Sequence, residues 1–179
     1  MNNINPFAID TSDFKPNSDK SNKNEETEHW WLISADKIFE STMDGYKEFA
    51  RFFSMEFEIS RFALFDGQKS SDSAVCAKDV KIYLPPSRFC AALQSNLASG
   101  KEISKIILKK VGFMNQKLDT IEEKEFTKCV IQTFERKQEI ASFTFRYAGY
   151  SDTYQDFKRD GTKSGKAATK IDLPTWKVS

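Results

Sequence analysis

Few residues in this chain are of types that do chemistry. His29 is the single histidine, so a zinc site built from several imidazoles and a hydrolase relying on more than one His are both excluded. Cys76, Cys90 and Cys129 are an odd number at wide, irregular spacing with no Cys-x-x-Cys knuckle, which reads as small buried hydrophobes, not as a disulfide framework or a metal site. Asp119, Glu122, Glu123 and Glu125 have the types needed for paired acid–base carboxylates. Clustered beside Lys124 in a polar stretch, they read as a solvated turn. Asp160-Gly161-Thr162-Lys163-Ser164-Gly165 superficially resembles a phosphate loop, but lacks the Gly-x-x-x-x-Gly-Lys-Ser/Thr spacing and no helix follows it. His29 with Glu28, Trp30 and Trp31 is a possible small-ligand aromatic site, and as a tail-to-domain junction it reads better as a hydrophobic anchor. Nothing assembles a nucleophile, a base and an orienting group. The expectation is a protein that is no enzyme, with no cofactor, no metal and no catalytic residue.

Two stripes invite a nucleic-acid reading. Lys101, Lys105, Lys109 and Lys110 would track a phosphate backbone, yet Ile103 and Ile107 share the parity of three of them and Glu102 sits alongside, so a solvated, edge-protecting lysine row is expected. Phe143, Phe145 and Tyr147 would stack bases, but their alternation with Ser142, Thr144 and Arg146 makes them core. Overall charge agrees: 27 Lys+Arg against 26 Asp+Glu leave +1, without the basic excess of a nucleic-acid binder. No run approaches the roughly 20 apolar residues of a membrane helix, and the start lacks a secretory signal. No direct membrane insertion and synthesis in the cytoplasm are expected.

The elements that must position these residues fit one domain plus a tail, since 179 residues falls within the domain range of about 100 to 200. Residues 1–28 hold three lysines against six acids and no sustained apolar period, and read as a disordered tail. Asn5-Pro6-Phe7 within it is a short docking-peptide candidate. The folded domain is expected over residues 29–179. Phe53, Met55, Phe57 and Ile59 alternate against Ser54, Glu56, Glu58 and Ser60 as a half-buried strand. Phe65 to Ser73 reads as an exposed loop. Val80, Ile82 and Leu84 form a short strand stopped by Pro85-Pro86, and residues 87–99 form a helix with Phe89, Leu93 and Leu97 in register and Gly100 ending it. Strands are expected over 101–113, 125–134 and 140–147, the last two pairing antiparallel. The first two of these carry apolar residues on both parities, which calls for a second covering layer. Barrel closure and burial against a neighbouring subunit are the two ways to supply one.

The order Pro86-Ser87-Arg88-Phe89, helix, Ala98-Ser99-Gly100-Lys101, three strands, then Lys158-Arg159-Asp160-Gly161-Thr162-Lys163-Ser164-Gly165 and a last strand with Ile171-Asp172-Leu173 resembles the haemolysin-coregulated proteins (Hcp), the tube subunits of type VI secretion systems. The resemblance covers roughly residues 33–179 and is best from about residue 78. Leu32–Ile38, Asp44–Glu48 and Arg51–Arg61 are counterparts of the family's opening strands and turn. Two features depart from the family pattern: the long preface and a shortened loop at about Phe65 to Ala77.

The resemblance implies a mainly β fold, an antiparallel β-barrel with one short α-helix, six copies closing into a hexameric ring by heterologous contacts. It implies stacked rings, propulsion by a contractile sheath, spike and baseplate as partners, effector cargo in the lumen, and export to the extracellular space or target cell without a signal peptide. On this reading Ile103, Ile107 and Val111, or else Ile106 and Leu108, line the intersubunit seam while the other parity fills the barrel. Asp66, Gly67, Ser70 and Ser71, with Asp160, Gly161, Thr162, Lys163 and Gly165, are the candidate ring-stacking residues. The alternative is a monomeric binding module or secreted accessory or effector protein that keeps the fold and forms no tube.

Overall fold

The structure is a computed structural model that describes residues 29–41, 45–61, 75–114 and 116–173. The expected tail and the expected loop at Phe65 to Ser73 lie outside those residues. The described chain is mainly antiparallel β with one short helix. Its strands are β1 His29–Ala35, β2 Ala50–Phe52, β3 Ser54–Glu56, β4 Ile59–Arg61, β5 Val75–Ala77 and β6 Val80–Leu84. After the helix α1 Phe89–Ser99 come β7 Ile103–Met114, β8 Lys117–Lys137, β9 Ile140–Arg146, β10 Gly149–Phe157 and β11 Lys163–Asp172.

The order across the sheet is β2-β1-β7-β8-β9-β6-β3, with β10 also on β8 and β11 on β10. Strand β8 organises it. Its second half pairs β9 from Val130↔Arg146 onward, and its first half pairs β10 from Thr127↔Gly149 to Glu122↔Tyr154. β9 and β10 therefore run as one long strand along β8, interrupted at residues 147–148. On the far side of that strand, β6 covers β9 and β11 covers β10. The half-buried strand expected from Phe53 to Ile59 is instead three short pieces, because β2 pairs β1, β3 pairs β6 and β4 pairs β5. Met55, Phe57 and Ile59 still pack on the core, while Phe53 at the bend is exposed. β2 and β3, at the two ends of the strand path, are separated in sequence by Phe53 alone.

The helix forms where the sequence places it. Gly100 ends it at φ +60°, a left-handed conformation that costs glycine little, and Phe89, Cys90 and Leu93 are buried under it. β6 alternates as expected, with Val80, Ile82 and Leu84 fully buried.

The apolar residues on both parities of β7 and β8 have a local cause. Pairing runs Ile103↔Cys129 and then Lys105↔Thr127; the residues between, Ser104 and Lys128, drop out of it, and Lys128 takes φ +53°. An irregularity of this kind switches which parity faces inward. Accordingly Ile103 joins Ile106 and Leu108 in one core, and Phe126 joins Cys129 and Ile131. Asp36 fixes the spot from β1's end, its carboxylate accepting from the Ser104 N–H at 2.7 Å and the Ser104 hydroxyl at 2.6 Å. The irregularity accounts for part of the two-sided pattern; Val111 of β7 and Leu32 of β1 are nonetheless buried on the opposite face. The core is aromatic at its centre: the Phe126 ring meets Phe57, Phe145, Tyr147 and Tyr150 at 4.9 to 5.6 Å between centroids.

Candidate functional site

Alternation on β8 sends Glu122, Lys124 and Phe126 to one face, and antiparallel register sets Tyr154, Asp152 and Tyr150 of β10 directly beside them. Phe126 and Tyr150 join the core. Glu122, Lys124 and Asp152 are carried on the same face and are buried too. The Lys124 Nζ lies 2.5 Å from Glu122 Oε1 and 2.6 Å from Asp152 Oδ2, with the Tyr150 and Tyr154 hydroxyls each at 3.5 Å. Tyr150 donates its own hydroxyl to the same Asp152 oxygen at 2.6 Å. Two carboxylates around one ammonium leave a net negative charge, and Asp152 Oδ1 is buried with no hydrogen-bond partner.

Burial alone would lower the Lys124 pKa; Asp152 and Glu122 outweigh it and hold the ammonium above its ordinary value. Burial, reinforced by Asp152, pushes the Tyr150 phenol up in turn. Both groups therefore keep their protons at neutral pH. The Phe57 and Tyr154 rings lie 5.9 and 5.4 Å from the ammonium. Such a cluster orders two strands and holds a charge in place; it offers no nucleophile.

A second feature arises where β9 gives way to β10. A cavity of about 270 Å³ opens there, lined by Ala77, Lys78, Asp79, Arg146, Tyr147 and Leu173. Arg146 Nε and Nη2 grip Asp79 at 3.0 and 3.4 Å, and the Tyr147 hydroxyl is buried without a partner, its pKa pushed by burial to about 12. Among the described residues no group of three or more His, Cys, Asp or Glu is placed to hold a metal ion, and no helix is long and apolar enough to cross a membrane.

The residues singled out from sequence fall as follows. Of the seam candidates, Ile103, Ile106, Leu108 and Val111 have side chains 0 to 1 % exposed inside the chain itself; Ile107 alone retains surface. Ile103, Ile106 and Leu108 share the main core, while Val111 lies on the opposite face of β7 with Leu32. Asp160, Gly161 and Thr162 form the exposed tip of the β10–β11 hairpin, where Asp160 accepts from the Thr162 N–H and hydroxyl and Gly161 takes φ +77°. Lys163 and Gly165 begin β11, Lys163 bonding Asp119 at 3.0 Å. Asp66, Gly67, Ser70 and Ser71 lie outside the described residues, as does Cys76's side chain; Cys90 and Cys129 are buried and free.

Two readings need correction. The lysine row protects no edge, since β7 lies between β1 and β8, and Lys105 and Lys109 pair across to Glu125 and Glu123 at 3.0 Å. The stretch from Asp119 to Glu125 is no turn but the first half of β8, and its Glu122 is buried. By contrast Phe143, Phe145 and Tyr147 are core, as their alternation indicates.

No family model matches this sequence, and no curated protein matches it. Solved structures do. A protein described as a type six secretion system protein superposes with a TM-score of 0.73 at 15 % identity, over 82 % of this chain and 96 % of that one. Hcp1 from Salmonella typhimurium gives 0.62 at 16 %, covering 81 % and 95 %. A type VI secretion system effector from Yersinia pestis gives 0.60 at 15 %, covering 80 % and 99 %. The backbone thus superposes on these proteins across most of its length, and the protein has the Hcp fold of type VI secretion systems.

Proposed function

We propose that this chain is a tube subunit of a type VI secretion system: six copies close into a ring, rings stack, and the tube is exported with effector cargo in its lumen. The observation that carries the reading is the extent of the fold match, 96 % of a type six secretion system protein's length against 82 % of this chain. In this reading β2 and β3, consecutive in the chain, close the sheet into a barrel. Ile107 and its exposed neighbours on the outer face of β7 and β8 meet the adjacent copy, and the hairpin tip at Asp160, Gly161 and Thr162, with Lys163, Gly165 and the segment of Asp66, Gly67, Ser70 and Ser71, reaches the next ring. Sheath, spike and baseplate proteins are the partners, and neither nucleic acid nor a membrane span enters. The role is mechanical, with no catalysis and no cofactor.

The decisive test is light scattering on the size-exclusion peak of the full chain, with negative-stain imaging of the same fraction. A mass near six times 20.6 kDa with annular particles supports the tube subunit. Ile107→Asp then shifts the peak to the monomer without lowering the unfolding midpoint, because Ile107 is only half-buried in the protomer. A clean monomer over a wide concentration range defeats ring assembly. It would leave a monomeric secreted module, a reading favoured by the effector described for the Yersinia pestis structure and by the consumption of four seam candidates within the protomer's interior.

A further inference from the structure

Among the described residues, one lysine is held as no other is. Register sets Lys124 of β8 directly opposite Asp152 of β10, and alternation brings Glu122 to the same face. The Lys124 Nζ lies 2.6 Å from Asp152 Oδ2 and 2.5 Å from Glu122 Oε1. The Asp152 carboxyl carbon is one carbon–oxygen bond beyond Oδ2, so the nitrogen approaches it to near the separation of about 3 to 3.5 Å at which positioned groups react. All three residues are 6 to 9 % exposed. By contrast Lys105–Glu125 and Lys109–Glu123 keep 23 to 45 % of their side chains exposed, and each joins one lysine to one carboxylate.

The groups around the pair differ in kind. Tyr150 donates its hydroxyl to Asp152 Oδ2 at 2.6 Å, which draws charge from the carboxyl carbon, whereas Oδ1 is buried with no partner. The Phe57 and Tyr154 rings lie 5.9 and 5.4 Å from the ammonium, and the Phe57, Phe126 and Tyr150 rings meet one another at 4.8 to 5.6 Å. Such a setting keeps out the bulk water that would favour free ions over an amide. With its proton on, Lys124 is no nucleophile. The carboxylates that hold this proton against the solvent are, however, the bases nearest to it. Transfer to Glu122 turns two buried charges into a neutral amine and a neutral acid, which burial favours.

We propose that Lys124 and Asp152 condense into an intramolecular isopeptide bond, with Glu122 as the catalytic proton relay. The Nζ–Cγ bond forms and the Cγ–Oδ1 bond breaks. Of the three ammonium protons, one stays on the amide nitrogen and two pass by way of Glu122 to the departing oxygen, which leaves as water. Glu122 ends as it began, and no oxidant or co-reactant is consumed. Oδ2, already held by Tyr150, becomes the amide carbonyl. The ion cluster is the state of the newly folded chain, and the bond accumulates from it once per molecule. It ties β8 covalently to β10, whose other neighbour is β11, a strand exposed over nearly its whole length. The bond does not depend on ring assembly and forms whether or not the protein builds a tube.

The experiment is intact-mass measurement of the full chain, freshly purified and again after a week at neutral pH, followed by tandem mass spectrometry of its tryptic peptides. The expected result is a growing species lighter by one water, in which trypsin no longer cuts after Lys124 and the peptides that contain Lys124 and Asp152 are joined. Lys124→Arg abolishes the joined peptide. Glu122→Gln slows its formation about a hundredfold while the chain still unfolds cooperatively in urea. A mass that never falls overturns the proposal, as does a loss of water with the two peptides unjoined, the outcome of ring closure at Asp160-Gly161. If Glu122→Gln does not fold, the joined peptide of the unaltered chain decides the matter alone. Joining as fast in a folded Glu122→Gln chain overturns the relay.

Discussion

One face of the sheet solves the same problem in two ways. Along the row that crosses it, Ile33 pairs Leu108, Leu108 pairs Lys124, and Lys124 pairs Asp152. All four are buried, Ile33 and Leu108 completely and the two charged residues at 6 and 8 % exposure. On the β1–β7 side, burial is stabilised by apolar area removed from water. On the β8–β10 side, it depends on an ammonium and two carboxylates that satisfy one another. The halves differ in what a single change does. An apolar truncation leaves a cavity, whereas removal of one charge strands the others in a poorly solvated place.

The largest effect should therefore come from the charged half. Lys124→Ala leaves Glu122 and Asp152 facing each other with no cation, at a cost of about 3 to 5 kcal/mol, read as a fall in the urea midpoint followed by tryptophan fluorescence. Replacing the whole set together, Glu122→Leu, Lys124→Met, Tyr150→Phe and Asp152→Leu, should be close to neutral or stabilising, since buried ion clusters often contribute less than well-packed apolar groups of similar size. A cost of under about 1 kcal/mol for Lys124→Ala, the range of an exposed ion pair, would show that water reaches the cluster and would erase the contrast.

The apolar half should respond less steeply. Leu108→Ala, one step along the same row, should cost about 3 kcal/mol through lost burial and the cavity left behind, with no dependence on salt. If salt changed the Lys124→Ala loss no more than the Leu108→Ala loss, the two halves would not be chemically distinct, because removing Lys124 leaves two like charges whose repulsion salt screens and removing Leu108 leaves only a cavity.

What the sequence shows of this arrangement depends on where the deciding partner lies. β6 and α1 are local: Val80, Ile82 and Leu84 alternate without interruption, and Gly100 ends the helix by its own backbone freedom. In β7 and β8 the alternation is present but breaks at Ser104 and Lys128, and an irregularity that involves two strands at once is invisible to either alone. That break puts Ile103 on the parity opposite to Ile106 and Leu108 although all three share one core, which is why interior residues stand among the seam candidates. The charged cluster was missed for a similar reason. Within Glu122-Glu123-Lys124-Glu125 nothing separates a buried lysine from a solvated one. The signal lay in β10, where Tyr150, Asp152 and Tyr154 share one parity, at the spacing that matches Phe126, Lys124 and Glu122 across an antiparallel ladder.

The smallest effect separates the halves by how a buried titratable group behaves when it has no counter-ion. Cys129 sits in the apolar region at 0 % exposure, and burial pushes its thiol up to about 12 from an ordinary 9.0, with the charges of Asp36 and Glu102 acting in the same direction. The unfolded chain loses this proton first. The stabilisation is therefore complete below pH 9 and declines as pH rises from 9 towards 12, by at most about 1.4 kcal/mol per unit. Lys124 is raised too, but by its carboxylates, so its contribution is complete below the ordinary lysine value near 10.5 and is lost only as pH climbs through the higher folded value. Between pH 8 and 10 the apolar half should weaken while the charged half holds. Urea midpoints at those two pH values should show the unmodified protein losing about 1 kcal/mol more than Cys129→Ala, because every other titrating group cancels in that difference. Equal losses in the two proteins would mean that the thiol ionises in the folded state as readily as in the unfolded one, and that the interior around Cys129 is no drier than the ring of carboxylates around Lys124.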